Sequence, residues 1–426
     1  MRNQTKLKKV LDEVVLDITP SPEELHRAES AACKMVSKLN KQLKPLKARA
    51  IIAGSSKKNT QLKNTFEIDV FVLFNYKKHA GNGSAISDIL AIKLKKASVK
   101  AERLHGSRDY FQTRIAPYTF EIVPILNIAS SKQAKNITDV SPLHARWVGK
   151  KSKNKQADIR LAKAFMSALG IYGAESYVRG FSGYACEVLA IHYGSFVNLL
   201  RAATKWKEKQ IIDPEGSYKS RNPLIELNKS KTLSPLILID PVQPSRNVTA
   251  ALNDESFTVF KKAAYNFLRS PSKQFFTKKT VVKKDLIKAV TKKSLLLIVD
   301  AVPEKNKKDV MGAAITNKYE LLRNKLAEHG FKVIKSSWDW DERKGIIWFF
   351  INKKFPSATE VRKGPEASDK ANSLRFKRTH KNTVVKKGRL FAKVKKKFPT
   401  PKNLVNFILK QNNFKNRIEK ATAEWH

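Results

Sequence analysis

Phe66-Glu67-Ile68-Asp69-Val70-Phe71-Val72-Leu73-Phe74 alternates as a β-strand does. On a period of two, Phe66, Ile68, Val70, Val72 and Phe74 point one way, and Glu67, Asp69, Phe71 and Leu73 the other. Both faces are apolar except at one end of one of them, where the two carboxylates stand. This is the pattern of an inner strand covered on both sides. Upstream, Ala48 to Ala53 reads as a short strand running into Gly54-Ser55-Ser56. Before it, Ser21-Pro22-Glu23-Glu24 signals a helix start, with Ser21 as N-cap, and predicts a helix to Leu43. Downstream, Gly81-Asn82-Gly83-Ser84 predicts a loop, Ile86 to Lys100 a helix, and Tyr118 to Leu126 a strand with Thr119, Glu121 and Val123 on one face. These elements make an α+β unit ending near Asp139.

Beyond it the period lengthens. Leu161, Phe165 and Leu169 mark a helix closed by Gly170, and Tyr184 to Trp206 continues as helices broken at Gly194-Ser195. A second α+β region follows: strands at Leu295–Val299, Phe331–Ser336 and Ile346–Asn352, a helix at Asn317–Glu328 closed by Gly330, and a break at Gly364-Pro365. The expected architecture is an α+β multidomain chain with three parts: a head of mixed sheet and helices over 1–140, a helical central domain over 141–275, and C-terminal α+β over 276–426.

The chain has 426 residues, with 84 Lys and Arg against 37 Asp and Glu, a net charge of +47. With 42% hydrophobic residues it has material for real cores, so the charge is not a sign of disorder. The basic residues are spread along the whole chain, which points to a polyanion touching several domains, nucleic acid first. Ser373 to Phe398 holds eleven Lys or Arg and no acid, interleaved with Phe376, Phe391 and Phe398, the Phe residues reading as core and the cations as an RNA-contacting surface. No apolar run approaches the ~20 residues of a membrane span. Cys33 and Cys186 alone exclude a disulfide framework and a Cys-ligated zinc site. With no secretory signal after Met1, a cytoplasmic location is expected.

Two carboxylates at i and i+2 on a strand share a face with their Cα atoms about 7 Å apart, near enough to serve one hard cation or a close pair, which suggests Mg²⁺. If the strand from Tyr118 lies beside that from Phe66, Glu121 adds a third oxygen ligand. An isolated Glu-x-Asp is more often an acidic strand end answering nearby lysines. Here, however, Gly54-Ser55 follows a strand about a dozen residues upstream. Its backbone N–H groups, hydroxyl and following lysines suit a triphosphate.

The layout resembles the polymerase-β-like nucleotidyltransferases. Several blocks sharpen the resemblance to the archaeal, class I CCA-adding enzymes: Gly54-Ser55-x-x-Lys58-Asn59-Thr60, Phe66 to Phe71, Gly170-Ile171-Tyr172-Gly173-Ala174-Glu175, Val178 to Tyr184, and Asp240-Pro241-Val242 with Arg246-Asn247-Val248. The match runs from about residue 20 to about 280 and more weakly beyond. The resemblance implies CCA addition to tRNA from CTP and ATP, with release of pyrophosphate and no nucleic-acid template. It implies that Glu67, Asp69 and Glu121 are catalytic and bind Mg²⁺, and that Gly54, Ser55, Lys58, His144, Lys163, Tyr172 and Arg246 bind ATP or CTP. Arg246 falls on a position implicated in base choice. Two residues depart from the family pattern: Glu121 stands where Asp is usual, and Lys58 where Arg is common. Glu121 is one methylene too long, and Lys58 offers a point charge in place of a planar fork.

Each residue also has a plain reading. Lys163 suits a solvated helix face, His144 a capping or surface role, Tyr172 simple packing, and Arg179 and Ser182 a turn tying up its own backbone. The expected partners are the tRNA acceptor arm and the two nucleotides, with no membrane and with a homodimer left open. Two other functions stay in view at this level: an RNA-tailing enzyme of the poly(A)-adding type, and a non-catalytic RNA-binding relative.

Overall fold

Ser21 and Glu24 close a reciprocal cap on the helix Pro22–Leu43: the Glu24 N–H donates to Ser21 Oγ (3.2 Å) and the Ser21 N–H to Glu24 Oε2 (2.8 Å). In the computed structural model, which describes residues 2–83, 85–219, 221–278 and 280–426, this helix backs a five-stranded sheet. Its strands are β1 (Arg49–Ile52), β2 (Glu67–Asn75), β3 (Glu102–Leu104), β4 (Tyr110–Ile115) and β5 (Tyr118–Asn127), in the order β1-β2-β5-β4-β3. β2 is an inner strand, antiparallel to β1 and parallel to β5. Ile68, Val70, Val72 and Phe74 are buried on its uniformly apolar face, where they meet Leu39 and Leu43 of the capped helix and Ile86 and Leu90 of the helix Ala85–Lys96.

Several boundaries differ from expectation. The helix predicted to run to Lys100 stops at Lys96, because Ser98 turns left-handed (φ 49°) and the N–H groups of Ser98 and Val99 close back on Lys95 and Leu94. The expected loop at 81–84 is partly a 3₁₀ turn, Ala80–Asn82, and Ser84 lies outside the described residues. The β3–β4 hairpin was not expected: β3 has three residues and β4 carries exposed polar positions, so neither gives a strong alternation.

The sheet's far end is tied by Asp139, fully buried and ion-paired with Arg108. Asp139 accepts N–H bonds from Leu126 (2.9 Å), Lys135 (3.1 Å) and Asn136 (2.9 Å), so the buried charge is fully answered. The chain then turns helical: Ser141–Lys151, Gln156–Ala168, Gly183–Tyr193, Phe196–Ala203 and Asp254–Arg269, with two short parallel strands, β6 (Gln210–Ile212) and β7 (Leu236–Leu238). Phe165, Phe181, Phe196, Phe260 and Phe267 are completely buried at the centre, and Val14 of the helix Arg2–Ile18 joins the same core. Gly180 lies where a Cβ would overlap the Ile171 carbonyl, and this lets the Phe181 N–H reach that carbonyl at 2.8 Å. Ser182 caps the helix Gly183–Tyr193, accepting from the Ala185 N–H at 3.1 Å.

All of this forms one unit, Met1–Lys279; Thr280–His426 forms another. The second unit has a four-stranded sheet of β8 (Ser294–Pro303), β9 (Val333–Trp340), β10 (Gly345–Asn352) and the final strand, with the helix Lys308–Glu328 packed on it. It also has a three-stranded sheet of β11 (Thr359–Glu366), β12 (Thr383–Lys386) and β13 (Arg389–Lys395). Gly364-Pro365 does not break the pattern as expected. Both residues lie inside β11, an edge strand, at a register shift. An edge tolerates the missing proline N–H, and a Cβ on Gly364 would come within 2.8 Å of the Phe376 ring. The final strand, β14 (Ile418–Trp425), pairs with β8 although its Glu, Lys and Ala favour helix; sheet pairing overrides local propensity here. Among the described residues no helix is long and apolar enough to cross a membrane.

Candidate active site

Parallel pairing sets Asp69 of β2 directly opposite Glu121 of β5, with Glu67 opposite Thr119. Residues paired in register share a face, as do residues two apart, so Glu67, Asp69 and Glu121 all stand on the same side of the sheet. Burial, then the neighbouring Glu67, raises the Asp69 pKa, with Lys58 and Lys163 opposing. Burial, then Asp69 and Glu67, pushes Glu121 up to about 7, opposed by Gln112, whose Nε2 donates to Glu121 Oε1 at 3.3 Å. Among the described residues no three His, Cys, Asp or Glu are drawn into a ready-made metal cluster. The three carboxylates do have the chemistry a hard divalent cation needs: oxygen donors, one shared face, and mutual repulsion that a cation would relieve.

This crowding has a pH signature. In EDTA, the folded chain holds a proton on Glu121 up to about 7, whereas the unfolded chain releases it near the ordinary value of 4.5. The native state is therefore fully favoured below 4.5 and loses that contribution as pH rises through 7. Thermal unfolding should find Glu121→Gln matched to the parent at pH 4 and more stable than the parent at pH 8. Equal melting temperatures at both pH values would refute the crowding.

Gly54 completes this side of the site. It opens the short helix Gly54–Lys58 at φ 63°, and a Cβ there would overlap the Asp69 carboxylate. The Ala53 N–H meanwhile donates to the Asp69 carbonyl at 2.9 Å, locking β1's exit onto β2. Ser55 is half-buried in the same turn, and its carbonyl accepts from the Thr60 N–H at 3.1 Å.

Four of the other expected nucleotide contacts fall into two clusters, each built on an acid to which the sequence gave no role. Lys58 and Lys163 both meet Glu187, the first on Oε2 at 2.6 Å and the second on Oε1 at 2.9 Å. Lys163 is 3% exposed, so it is not a solvated helix lysine. Glu187 is fully buried; burial would raise its pKa, but Lys163 and then Lys58 hold it below the usual range. His144 and Arg246 both meet Asp240 Oδ2, at 2.8 and 2.9 Å. Asp240 Oδ1 accepts from the Tyr184 hydroxyl (3.2 Å) and from the Val242 (2.9 Å) and Gln243 (3.2 Å) N–H groups. The His144 and Tyr184 rings lie 4.2 Å apart.

The helix Gly183–Tyr193 links the clusters. Tyr184 and Glu187, at i and i+3, project from one side of it. Tyr172 reaches the same helix: its hydroxyl lies 2.9 Å from where a Gly183 Cβ would stand, with the Lys163 stem 3.9 Å from that point. A signal for Glu187 was present. An acid inside Tyr184-Ala185-Cys186-Glu187-Val188-Leu189-Ala190 has no solvated face and requires a buried cation.

Residues 157–277 match the family model "tRNA nucleotidyltransferase, second domain", and residues 297–425 match "CCA-adding enzyme, C-terminal domain". The chain is 34% identical over 383 residues to the CCA-adding enzyme of Nanoarchaeum equitans (strain Kin4-M), covering 89% of this chain and 91% of that protein. It is 28% identical to the CCA-adding enzyme of Methanocaldococcus jannaschii, over 92% of this chain and 88% of that one. With that of Archaeoglobus fulgidus it shares 27% identity, over 99% and 91%. Among solved structures, the Cid1 RNA terminal uridylyl transferase superposes with a TM-score of 0.50 at 14% identity, covering 64% of this chain and 98% of that one. That likeness concerns the fold alone.

Proposed function

Because this chain belongs to the CCA-adding enzymes, the tRNA nucleotidyltransferases, we propose that it performs its reaction on the sheet face that carries Glu67, Asp69 and Glu121. The observation that carries this is the register of Asp69 against Glu121. In the proposed reaction, the 3′-hydroxyl of a tRNA lacking its terminus attacks the α-phosphorus of CTP, then of ATP. A new phosphodiester forms and pyrophosphate leaves at each step. Glu67, Asp69 and Glu121 would hold Mg²⁺, which when bound supplies positive charge for the attacking hydroxyl and the leaving group.

The chain's own residues do the rest. Gly54, by lacking a side chain, leaves room for the Asp69 carboxylate. Ser55 and Lys58 face the triphosphate with a hydroxyl and a cation, and Lys163, its three N–H bonds held by Glu187 and Thr60, adds a buried positive charge behind them. Arg246, its guanidinium fixed by Asp240, and His144 and Tyr172 orient the base. Within the proposed scheme, 1–140 carries nucleotidyl transfer, 141–275 nucleotide and base recognition, and 276–426 contacts to the tRNA acceptor arm. The net charge of +47 serves the phosphates of that arm in the cytoplasm.

The test is incubation with Mg²⁺, tRNA ending at the discriminator base, and each nucleotide alone or in pairs. CTP alone should add C and stop, and ATP should complete the end only after C has been added. Long runs of A from ATP alone would replace this reading with a poly(A)-adding one.

A further inference from the structure

Glu187 is a fully buried carboxylate with one lysine on each oxygen, and its neighbours show how firmly it is held. Lys163 Nζ donates to Glu187 Oε1 (2.9 Å), Thr60 Oγ1 (3.0 Å) and the Thr60 carbonyl (3.2 Å), which uses all three N–H bonds of an ammonium group. The Thr60 hydroxyl donates in turn to Glu187 Oε1 at 2.9 Å. The backbone on both sides of Thr60 is pinned by Arg160, whose Nη2 donates to the Asn59 carbonyl (2.9 Å) and whose Nε donates to the Gln61 carbonyl (2.9 Å). Oε1 is thereby fixed in place, and Oε2 is left to Lys58 at 2.6 Å. Lys58 differs from Lys163. Its side chain is 13% exposed and, among the described residues, spends one N–H on Glu187, leaving two for a ligand.

We infer that Glu187 is a positioning residue for nucleotide binding: it holds the Lys58 and Lys163 ammonium groups side by side and aims Lys58 at the triphosphate. The inference rests on the proposed role of Lys58 as a phosphate contact, with the Lys163 charge beside it. Two ammonium groups in a poorly solvated pocket repel one another. One carboxylate between them cancels one of the two charges and leaves a net +1 for the phosphates. Lys58 ends the short helix that begins at Gly54, Lys163 sits on Gln156–Ala168, and Glu187 on Gly183–Tyr193. The carboxylate thus registers the phosphate-side turn against the helical core.

The experiment measures KM and kcat for CTP and ATP at saturating tRNA for the parent, E187Q, K58A, K163A and K58A/E187Q, with a melting curve for each. E187Q should raise KM for both nucleotides about tenfold and leave kcat within about threefold, as loss of an orienting partner does. K58A/E187Q should raise KM by far less than the product of the single effects. An E187Q protein with a lower melting temperature but parental KM would reduce Glu187 to a stability role, and a lower KM would make it a competitor of the nucleotide. Either result overturns the inference. K58A and K163A with parental KM would overturn the lysine reading beneath it, whereas K58A with raised KM beside E187Q with parental KM would overturn the inference alone. Should E187Q fail to fold, K163M/E187Q replaces the buried pair by neutral side chains of similar size. Its KM should exceed that of K163M; equality would again overturn the inference.

Discussion

Asp69→Asn should slow both CMP and AMP addition by about 10³-fold or more, a loss of roughly 4 kcal/mol of transition-state stabilisation, while tRNA binding and the melting temperature in EDTA stay near those of the parent. Asparagine keeps the shape of the side chain and removes only its charge. Asp69 is the middle member of the triad: it follows Glu67 by two residues on β2 and faces Glu121 across the strand pair. Its neutralisation removes the donor common to both pairings. Because Asp69 is crowded by burial and by Glu67, the variant should also fold at least as well in the absence of divalent cation. Single-turnover incorporation of labelled CMP, with filter binding of the same tRNA, separates the two effects. A rate within tenfold of the parent would remove Asp69 from the chemistry and with it the assignment of this face as the active site.

Gly54→Ala should cost about 10²-fold in addition rate, roughly 2.7 kcal/mol, with a loss of stability of about 1–2 kcal/mol. Two independent constraints act at this position. The backbone is left-handed, at φ 63°, which a side chain disfavours. The added methyl would also occupy the space of the Asp69 carboxylate. One of the two must move, and displacement of a catalytic oxygen by even 1 Å is expensive. Gly149→Ala is the control: a Cβ there meets nothing within 4 Å, and the residue lies in the helix Ser141–Lys151. Equal kinetics for Gly54→Ala and the parent would show that the carboxylate does not need this approach.

What could be read from sequence follows the strength of the local signals. β2 was legible because it is a run of apolar residues whose only acids, Glu67 and Asp69, fall on one face at one end, and the Ser21 cap because its partner stands three residues on. β14 was not, since its composition favours a helix and only pairing with β8 makes it a strand. Gly364-Pro365 misled for a similar reason: a pair that ends most elements is tolerated at a sheet edge. In the candidate site, the carboxylates and the Gly54 turn with its lysines were expected from a pattern of spacing, and Lys163 from the family resemblance. Their organisers were not, because Glu187 and Asp240 take their meaning from partners more than 90 positions away in sequence, such as Thr60 and His144.

The helix Gly183–Tyr193 works as a caliper. Tyr184 grips the Asp240 cluster and Glu187 the paired lysines, so one rigid turn of backbone, a rise of about 4.5 Å, fixes the gap between the two jaws. A disturbance in the packing beneath that turn must shift both jaws at once. On the proposed roles of the two clusters, a change that retunes selection of the base would therefore also alter the grip on the phosphates.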